Sequence, residues 1–198
     1  MTCKQLSKMY TLLKKATDTH IQKTQVCDLL EYLYHHDPKV YQSTWLPYLS
    51  TLQKEWHEPL CTCMSLEELN RWIHIAPFAR FKLQLKAQGI QNAAAISISQ
   101  HSSLRNVHTL DVSHNQIETE GALALLCSHK LDKLIQLDLS ANQLKGETAK
   151  QIAKAHISSH LRILRLNDNN LGEQGLQELL QSKSLRHLRV LSLKRTPL

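Results

Sequence analysis

One phrase recurs along this chain at a fixed interval of 27 residues, and nothing else in the sequence constrains the fold as tightly. In KLIQLDLSANQL, residues 133–144, Leu134, Leu137, Leu139, Asn142 and Leu144 spell LxxLxLxxNxL. The same slots hold Val107, Leu110, Val112, Asn115 and Ile117 one interval earlier, and Leu161, Leu164, Leu166, Asn169 and Leu171 one interval later. A further register holds Leu188, Leu191, Leu193, Thr196 and Leu198, and a degraded one holds Arg80, Leu83, Leu85, Gln88 and Ile90. A unit this short cannot bury its apolar face alone, so five registers at one spacing predict units stacked into a solenoid with a continuous core.

Within each unit the apolar period changes from 2 to 3.6, as it must where a strand gives way to a helix. The helical faces read Ala95, Ile98 and Ser99; Ala122, Leu125 and Leu126; Ala149, Ile152 and Ala153; Leu176, Leu179 and Leu180. A slot of small residues precedes them (Ala94, Gly121, Thr148, Gly175), where one helix can approach the next closely. Helices are bulkier than strands, so stacking bends the array into a horseshoe with a parallel sheet inside and helices outside. The Asn slot has a physical reason as well: a buried turn orphans backbone donors and acceptors, and an amide side chain can satisfy both.

Composition divides near residue 80. All ten aromatic residues precede position 82, and all five glycines follow position 88. Residues 1–78 balance eight basic against eight acidic side chains, which leaves the formal +7 to residues 79–198. Before the repeats, the pattern predicts helices over 3–16 (Leu6, Met9, Tyr10, Leu13) and from Asp18 to about His35, then a break at Asp37-Pro38. A third helix is expected to begin at Thr44 with Pro47 in its first turn and Trp45, Tyr48, Leu49 and Leu52 inward. Leu60 to Met64 reads as a short strand, and Ser65 to Glu68 as a capping box opening a helix through Leu69, Trp72 and Ile73 that Pro77 closes. The expected organisation is a helical cap over 1–58 and an α/β repeat region over 59–198. Its first repeat, 59–79, is atypical, and 27-residue repeats start near 80, 107, 134, 161 and 188.

The phrases LDLSANQL and LRLNDNNLGEQGLQELL resemble the ribonuclease-inhibitor-like class of leucine-rich repeats, in its compact bacterial form with a regular 27-residue unit. EWHEPLCTCMSLEELNRWIHIAPFARFKLQL is similar to the segment that leads into the repeats in those proteins. The resemblance covers roughly residues 55–198 and implies a right-handed solenoid that binds proteins through varied surface positions. It implies no particular activity, because the class is a scaffold.

Residues between the strand leucines project onto the concave face. From one end to the other they are Lys82, Gln84 and Lys86; Thr109, Asp111 and Ser113; Gln136, Asp138 and Ser140; Ile163, Arg165 and Asn167; Val190, Ser192 and Lys194. With the neighbouring His114, Asp168 and Arg195 they make a polar surface, basic at both ends and acidic in the middle, on which a partner protein is expected to dock. Asp111, Ser113, His114 and Asp138 include the residue types of a hydrolytic triad. Ser113 and His114 are nevertheless sequence neighbours whose side chains diverge, and no nucleophile elbow accompanies them, so no catalysis is expected. His57, Cys61 and Cys63 lack the second ligand pair of a zinc site; the cysteines read as structural thiols, and no metal or cofactor is expected.

The basic C-terminal stretch, with Lys183, Arg186, Arg189, Lys194 and Arg195 and no acid, invites a nucleic-acid reading. Residues 82–198 hold no aromatic side chain on which bases could stack, so the partner expected is an acidic protein instead. An immunity-type or inhibitor protein that neutralises a toxin or enzyme is the alternative that the resemblance suggests. The last strand lacks a following repeat, so either self-association through that edge or its occupation by the partner is expected. Five scattered cysteines and the absence of a long apolar run give the expectation of a reduced, cytoplasmic protein without membrane contact.

Overall fold

A computed structural model of the chain describes residues 11, 28, 30–51, 62–77, 79–155 and 160–196. Six strands, β1 (Thr62–Cys63), β2 (Phe81–Gln84), β3 (Val107–Asp111), β4 (Gln136–Asp138), β5 (Ile163–Arg165) and β6 (Val190–Ser192), form one parallel sheet in sequence order. Each is followed or preceded by a helix of the outer layer: α3 (Leu66–Ile75), α4 (Asn92–Ser99), α5 (Thr119–Leu126), α6 (Gly146–Ile152) and α7 (Gly172–Leu180). This is the leucine-rich-repeat solenoid that the spacing predicts.

Register follows the repeat. Leu83, Leu110, Leu137, Leu164 and Leu191 pair across the sheet as one row, each 27 residues from the next. One irregularity interrupts it: Phe81 pairs with Val107 and Lys82 with Thr109, so His108 is left over in β3. The leucines of the first four members of the row are buried, with Leu137 at 1% exposure, and join the helix residues Ala95, Ala122, Leu125, Ala149 and Ile152 in a single apolar cluster. At roughly 25 cal/mol per Å² of apolar surface removed from water, such burial is the main force holding the stack.

The Asn slot works as its chemistry requires. Asn142 donates through Nδ2 to the carbonyls of Val112 (3.1 Å), Leu139 (3.0 Å) and Ser140 (3.3 Å), and accepts at Oδ1 from the Ile117 amide (3.0 Å), tying two repeats together. Asn115 and Asn169 repeat the pattern, reaching back to the Leu85 and Leu139 carbonyls. Thr196, in the same slot of the last rung, is too short for this, and its buried hydroxyl has no hydrogen-bond partner among the described residues.

Immediately before the Asn slot lies a conformation the pattern does not announce. Ala87, His114, Ala141, Asp168 and Arg195, again 27 apart, all have φ between 51° and 56°. None is glycine, so each turn holds a non-glycine residue in the left-handed region at a cost of about 1–2 kcal/mol. The ladder secures it: Ala141 N–H donates to the Asn167 carbonyl (2.8 Å) and His114 N–H to that of Ser140 (2.9 Å).

The helices approach as the small-residue slot requires. A Cβ on Gly121 would lie 2.7 Å from Asn92 Oδ1, and one on Gly175 would lie 3.0 Å from Ala149 Cβ. In the same slot Thr148 is buried and its hydroxyl meets that of Thr119 at 2.7 Å. Ala94, the first member, is exposed. Leu180 departs from the expected inward face: it is 73% exposed, because no further helix follows α7 in the described chain to cover it.

Towards the N-terminus the expectations need several corrections. Residues 30–36 are helical and bury Leu30 and Leu33; of the expected helix over 3–16 Thr11 alone is described, and it is helical, while the start at Asp18 lies outside the described residues. The third helix begins at Pro38 rather than Thr44. Asp37 caps it, accepting from the Val40 amide at 3.3 Å, and α1 (Pro38–Val40) runs through a π-helical turn, Tyr41–Trp45, into α2 (Leu46–Thr51). Pro47 therefore sits inside a continuous helix. A proline there clashes with the carbonyl four residues back, and the wider turn just before it relieves that clash. The side chains of Trp45, Tyr48 and Leu49, and Leu52 altogether, lie outside the described residues.

Tyr41 and Trp72 are fully buried in the same cluster as the repeat leucines, and the Tyr41 hydroxyl donates to the Ile75 carbonyl; burial pushes its phenol well above the usual tyrosine range. Arg71 of α3 holds Glu31 and Asp28 across this junction, and its hydrogen bond keeps the Glu31 carboxyl below the ordinary carboxylate range. Of the strand expected over 60–64, Thr62 and Cys63 form β1; Leu60 and Cys61 are outside the described residues. Ser65 accepts from the Glu68 amide at 3.1 Å, but Glu68 reaches back to the Met64 amide (2.8 Å), one residue beyond the cap itself. The inner face of α3 is Leu69, Trp72 and Ile75, with Ile73 only half-buried.

Candidate functional site

Parallel pairing places the expected docking residues on one sheet face. Lys82, Gln84, Asp111, Gln136, Asp138, Arg165 and Asn167 are half-buried there; Lys86, His114, Lys194 and Arg195 are exposed at its rim beside a half-buried Asp168. Ser113 corrects the expectation. It is 4% exposed because its hydroxyl and amide both donate to Asp111 Oδ1, at 2.7 and 3.0 Å, which folds the side chain back against its own turn. Its one hydroxyl proton thus goes to a carboxylate rather than an imidazole, unlike a nucleophilic serine. Ser140 is buried likewise, its amide donating to Asp138 Oδ1 at 3.0 Å.

The charge stripe expected along this face is partly neutralised within it. Arg165 Nη1 lies 3.9 Å from Asp138 Oδ2, across adjacent strands. Arg195 grips Asp168 with two bonds, Nε to Oδ1 at 2.6 Å and Nη2 to Oδ2 at 2.9 Å, and this pairing raises the guanidinium pKa further. Asn167 closes the seam by donating to Ser140 Oγ (3.3 Å) and accepting from Ser192 Oγ (2.7 Å) and the Lys194 amide (2.8 Å). Half-exposed amides and paired charges of this kind can match the polar edge of a folded protein.

Most of the unneutralised charge lies elsewhere. Each helix leads to the next strand through a connection, and the described residues of the nine-residue windows ending at positions 81, 108, 135, 162 and 189, which take in these connections, lie along the leading rim of the sheet. Of the sixteen basic residues in 79–198, nine fall in them against one acid, Asp132; the other seven share the remainder with eight acids. Early windows contribute Arg80, Arg105, Lys130 and Lys133. Later ones contribute Lys154 and Arg162, then Lys183, Arg186 and Arg189. Lys154, two residues past the end of α6, thus belongs to a connection and not to the convex helices.

The rim is one surface. Ile135 N–H donates to the His108 carbonyl, Arg162 N–H to Ile135, and Arg189 N–H to Arg162, each at 2.8 Å, so the windows stack rung on rung. Lys133 Nζ donates to Asn106 Oδ1 (2.9 Å) and Arg162 Nη1 to the His187 carbonyl (3.2 Å). A shallow cavity of about 570 Å³ opens there between Arg105, Asn106, His129, Lys130 and Lys133. His108, half-buried beside it, has its imidazole pKa lowered, chiefly by burial, partly offset by its bond to the Asn106 carbonyl, and further by Arg80 and Lys133. Sequence reasoning missed this rim because charge was read by linear position; sorting it by repeat slot exposes it.

Among the described residues no group of three or more histidine, cysteine or acidic side chains could hold a metal ion, and no helix is long and apolar enough to cross a membrane. Cys63 is buried and Cys127 is an exposed thiol, while His57 and Cys61 lie outside the described residues.

A family profile described as Leucine Rich repeat matches residues 103–126 and 158–180. Among solved structures, the actin-binding site 2 of leiomodin-1 superposes with a TM-score of 0.54 at 17% identity, over 66% of this chain and 80% of that one. At that identity the likeness is one of fold. Among curated proteins the sequence matches none.

Proposed function

We propose that this leucine-rich-repeat chain is a non-catalytic interaction module that holds a partner protein against its concave sheet. The observation that carries the reading is the face itself: a row of half-exposed polar side chains, centred on Gln84, Asp111, Gln136 and Asp138, mounted on strands whose backbone is already committed to the ladder. Rigid strands hold such groups in fixed relative positions, which is what selective recognition of a folded surface requires. The likeness in fold to the actin-binding site 2 of leiomodin-1 supports protein as the class of partner. The net charge of +7 favours an acidic one. An inhibitor or immunity role is one form this module can take, and the exposed thiol of Cys127 fits the reducing cytoplasm. At the far end, Leu180 and Val190, 73% and 44% exposed, would let a second copy stack through β6.

The test is a blocked face. Gln84→Trp/Gln136→Trp fills the middle of the concavity without touching the buried row. Proteins captured from the native source by the unaltered chain should be lost to the variant at an unchanged melting temperature; equal capture by both rejects concave docking. Sedimentation across a concentration series tests the stacking, which a monomer throughout would reject.

A further inference from the structure

We propose that the leading rim is a second contact, which captures an extended acidic segment of the same partner; this rests on the protein-binding reading above. Nine lysines and arginines with a single acid give this strip a formal +8, more than the +7 of the whole protein. Like charges gathered on one edge repel one another, so the arrangement is costly in the free chain and is relieved when anions neutralise it. Among the described residues no lysine or arginine of the rim forms a salt bridge, whereas Arg165 and Arg195 on the concave face both do. The anion that would relieve this repulsion is therefore not supplied from within the described chain.

Geometry sets the length and class of the occupant. Five rungs at about 4.8 Å span roughly 20 Å. Carboxylates on one side of an extended peptide repeat every ~6.8 Å, so about six to eight residues with acids at alternate positions cover the strip. The cavity beside Arg105, Lys130 and Lys133, polar through Asn106 and Ser102, has room for a carboxylate side chain, and its three cationic side chains outnumber the one acid in its lining, Asp132. Arg162 and Arg189 directly precede Ile163 and Val190 of the concave row, so a segment on the rim runs continuously into a protein body seated in the concavity. A nucleic acid would find the charge but no aromatic side chain in residues 82–198 on which to stack its bases.

The experiment compares two variants of the full chain that lose the same charge. Lys130→Ser/Lys154→Ser/Lys183→Ser strips the rim, and Lys82→Ser/Lys86→Ser/Lys194→Ser strips the concave face. The probe is a labelled octaglutamate peptide, set beside an octathymidylate of similar charge and vesicles containing phosphatidylserine. The rim variant should bind the peptide about tenfold more weakly at low salt, and the concave variant should lose less than about threefold. Added salt should shrink the difference. Should the rim variant melt early, Arg105→Ser/Lys133→Ser/Arg189→Ser provides the same reading from other side chains. Equal losses in both variants, or tighter binding of the oligonucleotide or the vesicles than of the peptide, overturn the proposal. If the peptide does not bind while the tryptophan-blocked face still loses its captured proteins, the rim inference fails alone. If the peptide binds the rim but blocking changes no capture, it is concave docking that fails.

Discussion

Leu137 in β4 and Leu191 in β6 fill the same slot two repeats apart, yet the first is 1% exposed and the second only half-buried. Their neighbours differ in the same sense. Asn142 joins three carbonyls and an amide from two repeats, whereas the Thr196 hydroxyl in the last rung has no partner among the described residues. One local pattern thus yields two energetic environments, because a solenoid residue draws its stability from the rungs on either side. Slot identity fixes where a side chain points; position in the stack fixes what the burial contributes.

The largest test of that contrast is truncation. Leu137→Ala should cost about 2–5 kcal/mol through lost burial and a cavity, and Leu191→Ala well under half of that. Equal values by chemical denaturation would show that the last rung is covered as well as the middle ones.

The Asn ladder gives the next effect. Asn142→Ala would strip four buried backbone groups of a partner and should destabilise by about 1–3 kcal/mol, while the reverse change at the far end, Thr196→Asn, should gain about 1 kcal/mol by reaching the Leu166 carbonyl. A Thr196→Asn protein no more stable than the parent would mean that the end turn does not hold the inner geometry.

Smaller still is the left-handed slot. Ala141→Gly removes the steric cost of φ 51° but loosens the unfolded chain, so a net gain of up to about 1 kcal/mol is expected. Loss of stability there would show that Ala141 Cβ contributes packing that outweighs the strain.

The smallest effect is a dependence on pH. Because burial lowers the His108 pKa, the unfolded chain takes up its proton first as pH falls. Stability attributable to His108 is therefore complete above the ordinary histidine value of about 6.5 and lost as pH drops through the lower folded value. His108→Gln should flatten the melting temperature over that window relative to the parent, and an unchanged slope would assign the pH dependence to other groups.

Much of the architecture was legible because it is periodic. Leu83 through Leu191 share one register, Asn115, Asn142 and Asn169 share one bonding pattern, and Gly121 and Gly175 admit a neighbouring helix, all as the 27-residue spacing implies. The candidate site was legible only in outline. The strand pattern put Asp111, Gln136, Asp138 and Arg165 on one face, but Ser113 turned inward on Asp111, and Arg165 and Arg195 found carboxylates from neighbouring strands. No one-dimensional pattern reports such pairings, since they depend on which rotamers two adjacent rungs allow. Likewise the helix start at Pro38 depended on Asp37 acting as a cap, a role that its place before a proline had marked only as a break.

The sequence by itself determined the repeat unit, the strand register and the buried rows, because alternation and helical period act within a few residues and stacking merely multiplies them. Only the tertiary structure decided where charge is spent. Winding the chain brings residues 27 apart within a strand spacing of one another, so Asp138 meets Arg165 and Asp168 meets Arg195 on the concave side. The same winding gathers Arg105, Lys133, Arg162 and Arg189 onto one rim with Asp132 as its single acid. Electrostatic interactions fall off with distance through space rather than along the chain, and that distance exists only once the solenoid is wound.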